Sequence, residues 1–232
     1  MRASRVKLTD FRNIPYLETA LCEESNVIYG DNGQGKTNFI EGIWMFTGAK
    51  SFRGAKDPQL IRFGAQQASL ELDFFGDGRE QTASLSIEGR RRASLNEIPL
   101  KAPSQLAGRF CAVVFSPVDL GFIKNGPQEK RRFIDASICQ LKPKYIHALS
   151  QFSRVLDQRN RLLKDLAYTP SLLGTLDVWD ARFAALAAVV LKTRYSYLEK
   201  LRPFAQSCYE GISGGREQLG FTYLPTLPCP LE

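Results

Sequence analysis

Residues 30 to 37 read Gly-Asp-Asn-Gly-Gln-Gly-Lys-Thr and fit the pattern G-x-x-x-x-G-K-[ST] without departure. Gly30, Gly33 and Gly35 let backbone N–H groups converge on phosphate oxygens, and Asp31, Asn32 and Gln34 contribute their main chain to the same loop. Lys36 is expected to reach the β- and γ-phosphates of a nucleoside triphosphate such as ATP, and Thr37 to ligate its Mg²⁺. The bland alternative is a plain glycine-rich turn between a strand and a helix.

This chemistry needs a strand before the loop and a helix after it. Val27-Ile28-Tyr29 predicts a buried strand, and Phe39, Ile40, Ile43, Trp44 and Phe46 recur at helical spacing. Two more strand-like pieces lie upstream, "SRVKLTDF" and the stretch Tyr16–Thr19, whereas small kinases and Ras-like GTPases usually open on the P-loop strand itself. No N-K-x-D or T-K-x-D sequence for reading guanine follows the loop. Downstream, "ASLELDFF" (68 to 75) alternates apolar and polar residues, Gly76-Asp77-Gly78 turns into a second alternating run, and Gly89 turns towards Ala93 and Leu95. An antiparallel meander beside a P-loop core is the mixed sheet of ATP-binding-cassette heads. "RFCAVVF" (109 to 115) predicts one more buried strand.

Seven segments in order, "DFRN", "GDNGQGKTNFIEGI", "KSFR", "LIRFG", "VVFSPVDL", "GPQEKRRFID" and "RVLDQRNRLLK", together resemble the RecF family of bacterial DNA replication and repair proteins. The resemblance covers nearly the whole chain. It implies an α/β fold: a P-loop ABC-type ATPase head with an ATP-binding lobe over residues 1–125, a helical arm over 126–212 and a return strand over 213–232. It implies ATP with Mg²⁺, duplex DNA near single-strand gaps, an ATP-dependent homodimer, and RecR, RecO and RecA as partners in recombinational repair, replication restart and the SOS response. Val118 stands where the family usually has an acidic residue, which leaves Asp119 for any metal or water role in a region similar to the Q-loop. No signature helix or Asp-Glu Walker B strand occurs in these 232 residues. The full-length relative is thus expected to be a weak DNA-dependent ATPase and this chain alone to be inactive. A P-loop interaction module and a small P-loop phosphotransferase are the competing readings.

From Pro143 a stripe of Tyr145, Leu149, Phe152, Leu156, Leu163 and Leu166 predicts a long helix. A second helix is expected from about Asp177 to Arg202, antiparallel to the first and stopped by Pro203. "ISGGREQLGFTY" (212 to 223) predicts a turn at its glycines and then a strand, not a signature helix. The net charge of +7, from 31 basic and 24 acidic residues, favours a polyanionic partner. Arg90-Arg91-Arg92, on an expected hairpin tip, and Lys130-Arg131-Arg132, near the start of the arm, are candidate DNA-backbone contacts, with a solvated face or local ion pairs as the alternative. Arg53 is a candidate neighbour of the nucleotide. The lone histidine, His147, and five scattered cysteines make His-dependent hydrolase chemistry and zinc or redox motifs improbable, and the thiols are expected to be buried and reduced. The amino terminus lacks the apolar core of a secretory signal, and the longest apolar run, Phe183–Leu191, is too short to span a bilayer. A cytoplasmic protein without membrane contact is expected.

Overall fold

The structure, a computed structural model, describes residues 1–116 and 126–225. They fall into two compact units, Met1–Pro143 and from Lys144 onward.

The first unit is built on an antiparallel sheet in the order β2-β1-β3-β4-β5-β6. Its strands are β1 (Arg2–Phe11), β2 (Ile14–Ala20), β3 (Ala68–Gly76), β4 (Arg79–Glu88), β5 (Arg90–Leu95) and β6 (Ile98–Pro99). Alternation decides which face is buried. Leu70, Leu72 and Phe74 of β3 lie opposite Leu85, Ala83 and Gln81 of β4, and the five apolar side chains are enclosed in one core. Helix α1 (Lys36–Met45) covers this face through Phe39, Met45 and the following Phe46. Gly42 lets it approach closely, since a Cβ there would lie 2.9 Å from a methyl of Leu8. Helix α2 (Pro127–Leu141) buries Ile134 and Ile138, and has proline at its start, where the missing N–H costs nothing.

The second unit holds α3 (Pro143–Asp165) and α4 (Leu176–Ser213). Phe152 stacks on Phe183 with ring centroids 5.4 Å apart, and Arg159 bonds to Asp180 at 2.5 Å. These contacts run in opposite order along the two helices, so the pair is antiparallel, as expected. Tyr145 is the buried member of the α3 stripe, Leu149, Phe152, Leu156 and Leu166 are half-buried and Leu163 is exposed, while Val155, outside the stripe, is also buried.

Several elements differ from the sequence expectation. Val27-Ile28-Tyr29 forms no strand, and Val27 is 86% and Tyr29 90% exposed. The 109–115 segment likewise forms no strand, with Val113 93% and Phe115 82% exposed. Strand propensity needs a ladder partner, and among the described residues the one bridge to either segment is an isolated pair, Ala107 with Phe110, so neither joins the described sheet, which is antiparallel rather than mixed. Residues 219–223 form no strand for the same reason. Asp119 and Val118 lie outside the described residues. Of the cysteines, Cys22, Cys111 and Cys208 are exposed rather than buried, and Cys139 is half-buried, its thiol pushed up to about 12 by burial and by Asp135.

Pro203 does not stop α4, which continues to Ser213. An interior proline lacks the N–H and crowds the carbonyl four residues back, yet here flanking turns on both sides hold the helix together. Pro203 is itself exposed, so removing it loses no packing. Pro203→Ala is expected to stabilise the second unit by about 1–2 kcal/mol, part of the roughly 3 kcal/mol interior penalty, and thermal unfolding measures it. The helix ends at Gly214, whose φ of 63° permits the left-handed cap. The glycines thus close a helix, and the negative end of its dipole is unsuited to a phosphate.

Candidate nucleotide site

The loop between residues 30 and 37 is shaped by backbone conformations that favour glycine: φ is 141° at Gly30, 85° at Gly33 and 100° at Gly35. A Cβ on Gly35 would lie 2.8 Å from Oδ1 of Asn13, so space as well as conformation demands glycine there. Helix α1 then begins at Lys36, with no acidic residue in its first turn and no side-chain cap. The positive end of the helix is left to an outside anion. Lys36 folds back over the loop, its Nζ donating to the carbonyls of Gly30 at 2.7 Å and Asp31 at 2.8 Å. Gln34 braces the turn: its Oε1 accepts from the Asp31 N–H at 3.1 Å and its amide nitrogen lies 3.4 Å from the Asp31 carboxylate. Asn32 and Thr37 are exposed. The eight loop residues predicted from sequence therefore lie together in one turn at a helix N-terminus.

Beneath the loop is a polar support that the motif does not announce. The β1–β2 hairpin turns through Arg12 and Asn13, with Phe11 paired to Ile14. Arg12, at φ 58°, sends its guanidinium to Glu41, with Nε at 3.0 Å and Nη2 at 2.9 Å from the two carboxylate oxygens. Glu41 is completely buried on α1, and the Ser51 hydroxyl donates to it as well. Asn13 turns the other way and donates to the Gly33 carbonyl at 2.7 Å. Asn38 donates to Asn13 at 2.7 Å and accepts from Arg53 at 2.7 Å. Arg53 lies 3.8 Å from Glu41 and keeps 45% of its side chain exposed, one residue pair away from Thr37. Two guanidiniums share one carboxylate, which leaves the wall beside the loop with surplus positive charge, suited to a polyanion.

The basic runs separate. Arg90-Arg91-Arg92 begins strand β5 directly after the Gly89 turn, so Arg90 stands at the hairpin tip, paired with Glu88, and Arg91 and Arg92 run down the strand. Strand alternation puts Arg91 on the core side opposite Ile87, where it is bound to Asp57 at 2.6 Å and to the Ala49 carbonyl at 2.9 Å with its side chain 7% exposed. It has no reach to an outside phosphate, which removes it from the candidate DNA contacts. Arg90 and Arg92 are exposed. On α2, Lys130, Arg131 and Arg132 are exposed, and Arg132 also donates to the Ser51 carbonyl at 2.9 Å. His147 is exposed on α3, and the described residues contain no cluster of ligands for a metal.

Comparison with known proteins places this geometry. No protein-family model matches the chain. The DNA replication and repair protein RecF of Agathobacter rectalis is 41% identical over 224 residues, 96% of this chain and 62% of the relative. A solved structure of the recombination mediator protein RecF-ATPrS in the RecFOR pathway superposes with a TM-score of 0.87 at 31% identity, over 91% of this chain and 58% of that one. By sequence and by fold, the chain is similar to RecF proteins. An SMC head domain from Pyrococcus furiosus, at 18% identity and a TM-score of 0.51, shares the fold only. The fold is thus that of the α/β ATPase heads, as the sequence implied. The chain spans about three fifths of the RecF proteins it matches. Among the described residues no helix is long and apolar enough to cross a membrane. Solved structures of RecF-ATPrS and RecF-ATP match this chain with TM-scores of 0.87 and 0.86.

Sequence reasoning missed Asn13, Asn38, Glu41 and Ser51 as parts of the site. One signal for Glu41 was available: it is an acid on a helix between Phe39, Gly42, Trp44 and Met45, all buried. A charge in such a place calls for a partner.

Proposed function

We propose that this chain binds ATP with Mg²⁺ at residues 30–37 and uses it to control a grip on duplex DNA in replication and recombinational repair, as part of a RecF-type protein. The observation that carries the reading is the left-handed glycine loop closed by Lys36 on its own carbonyls at 2.7 and 2.8 Å. An ammonium held there has only to exchange two carbonyls for phosphate oxygens. Thr37, exposed at the same helix start, would hold Mg²⁺, whose charge offsets that of the phosphates. Arg53 stands beside Asn38 with donors to spare and fits a phosphate or the ribose edge.

In this reading nucleotide acts as a switch: a ligand that binds a closed DNA-holding dimer better than the open monomer shifts the population towards closure. Arg90, Arg92, Lys130, Arg131 and Arg132 are the exposed members of the two basic runs that would meet DNA phosphates, and assistance to RecA loading with RecO and RecR belongs to the same proposal. The name of the solved relative, a recombination mediator in the RecFOR pathway, supports it. Steady-state ATP hydrolysis is not expected from this chain, because a Walker B carboxylate pair is absent from its sequence.

The test is binding to a gapped duplex, with and without Mg·ATP, over a salt series. Nucleotide-dependent tightening at each salt concentration is the expected result. A steep salt slope indifferent to ATP would mean adhesion of a basic protein to a polyanion, and would overturn the coupling.

A further inference from the structure

The loop's support is a one-way chain of hydrogen bonds. Arg53 Nη1 donates to Asn38 Oδ1 at 2.7 Å, Asn38 Nδ2 donates to Asn13 Oδ1 at 2.7 Å, and Asn13 Nδ2 donates to the Gly33 carbonyl at 2.7 Å. The two ends fix the direction. A guanidinium can only donate and a carbonyl can only accept, so each amide has one orientation that satisfies both of its neighbours.

The end of the chain matters most. In a trans peptide the C=O and the next N–H lie in one plane and point in opposite directions. With the Gly33 oxygen held towards Asn13, the Gln34 N–H points away from the hairpin tip, and among the described residues it has no protein acceptor. Glycine at 33, with φ 85°, leaves this peptide free to rotate unless something holds it.

We propose that Asn13 and Asn38 are positioning residues, which through the chain anchored on Arg53 lock the Gly33–Gln34 peptide plane so that the Gln34 N–H is preset to donate to a nucleotide phosphate. The inference rests on the reading of residues 30–37 as a nucleotide site. It adds that the cradle is set by a hairpin tip more than fifteen residues upstream, not by the glycine loop alone. Presetting matters because a donor already in place loses no freedom when the anion arrives.

Two kinds of measurement test it on the 232-residue chain. In the nucleotide-free protein, the ¹H–¹⁵N resonance of the Gln34 amide should move in both Asn13→Ala and Asn38→Ala. Titration with Mg·ATP should show each variant weakened by about tenfold, and the double variant by no more than about twofold beyond a single one, because one break disables the whole chain. Losses that multiply in the double variant, affinities unchanged, or a lower melting temperature with the Gln34 resonance unmoved would each overturn the proposal. Should Asn13→Ala fail to fold, Asn38→Asp takes its place: it keeps the acceptor for Arg53 and lacks the donor for Asn13, so the Gln34 resonance should still move. If the unaltered chain binds no ATP, the nucleotide reading fails, while the Gln34 resonance still decides whether the asparagines set the peptide.

Discussion

Lys36→Ala should weaken Mg·ATP binding about a hundredfold, with little change in the melting temperature of the nucleotide-free chain. Its Nζ is bound to the Gly30 and Asp31 carbonyls in the free loop. Those contacts, ionised on the lysine side only, are exchanged when phosphate arrives for hydrogen bonds in which both partners are charged, a gain of roughly 1–1.5 kcal/mol each. The difference over two such contacts is about 2.7 kcal/mol, which is the hundredfold. Calorimetric titration at fixed salt reads it directly. An affinity within threefold of the unaltered chain would mean that the ammonium stays on its own carbonyls and that nucleotide, if held, is held elsewhere. Melting separates the effects, since the lysine is exposed to solvent on one side and covers no core residue.

The second large effect concerns stability. Glu41 is fully buried, with the Arg12 side chain 18% exposed against it and Arg53 at 3.8 Å. Glu41→Ala leaves Arg12 in a largely closed space without its carboxylate and brings two guanidiniums together unopposed. Breaking a buried pair in this way costs about 3–5 kcal/mol. Glu41→Gln keeps oxygen and nitrogen in the same place but removes the charge, and should fall between. The two tryptophans make the measurement local: Trp44 lies on α1 in the first unit and Trp179 on α4 in the second. Urea unfolding followed by fluorescence in a Trp179→Phe background reports the first unit. A loss below 1 kcal/mol for Glu41→Ala would mean that Arg12 finds water or another acceptor.

Both predictions start from one helix, yet only one of the two residues has its partner chemistry written in a contiguous motif. Lys36 belongs to a contiguous motif whose spacing encodes its chemistry. Glu41 depends on Arg12, which reaches it only because β1 and β2 turn at residues 12 and 13. The same division runs through the fold. Strands β3 and β4 were legible because alternate burial is a local pattern, and α1 because its apolar residues fall on one face. Val27–Tyr29 misled, since β-branched and aromatic residues state a preference whose fulfilment lies in a distant neighbour. Pro203 misled in the opposite way: a local breaker is overridden when turns packed on either side, with Leu198 buried below it, carry the helix through. The arginine run at 90–92 showed as a block of charge, but the period of two along β5 divides it between the core side and water.

The uncovered segments at 27–29 and 113–115 bear on how the chain behaves in concentrated solution. Each offers bare main-chain donors and acceptors flanked by Val, Tyr or Phe, the makings of a sticky edge for another molecule. A net charge of +7 keeps copies apart at low ionic strength. Added salt shortens the reach of that repulsion to a few ångströms while leaving the greasy edges untouched, so the same ions that loosen a nucleic-acid partner would drive this protein to clump.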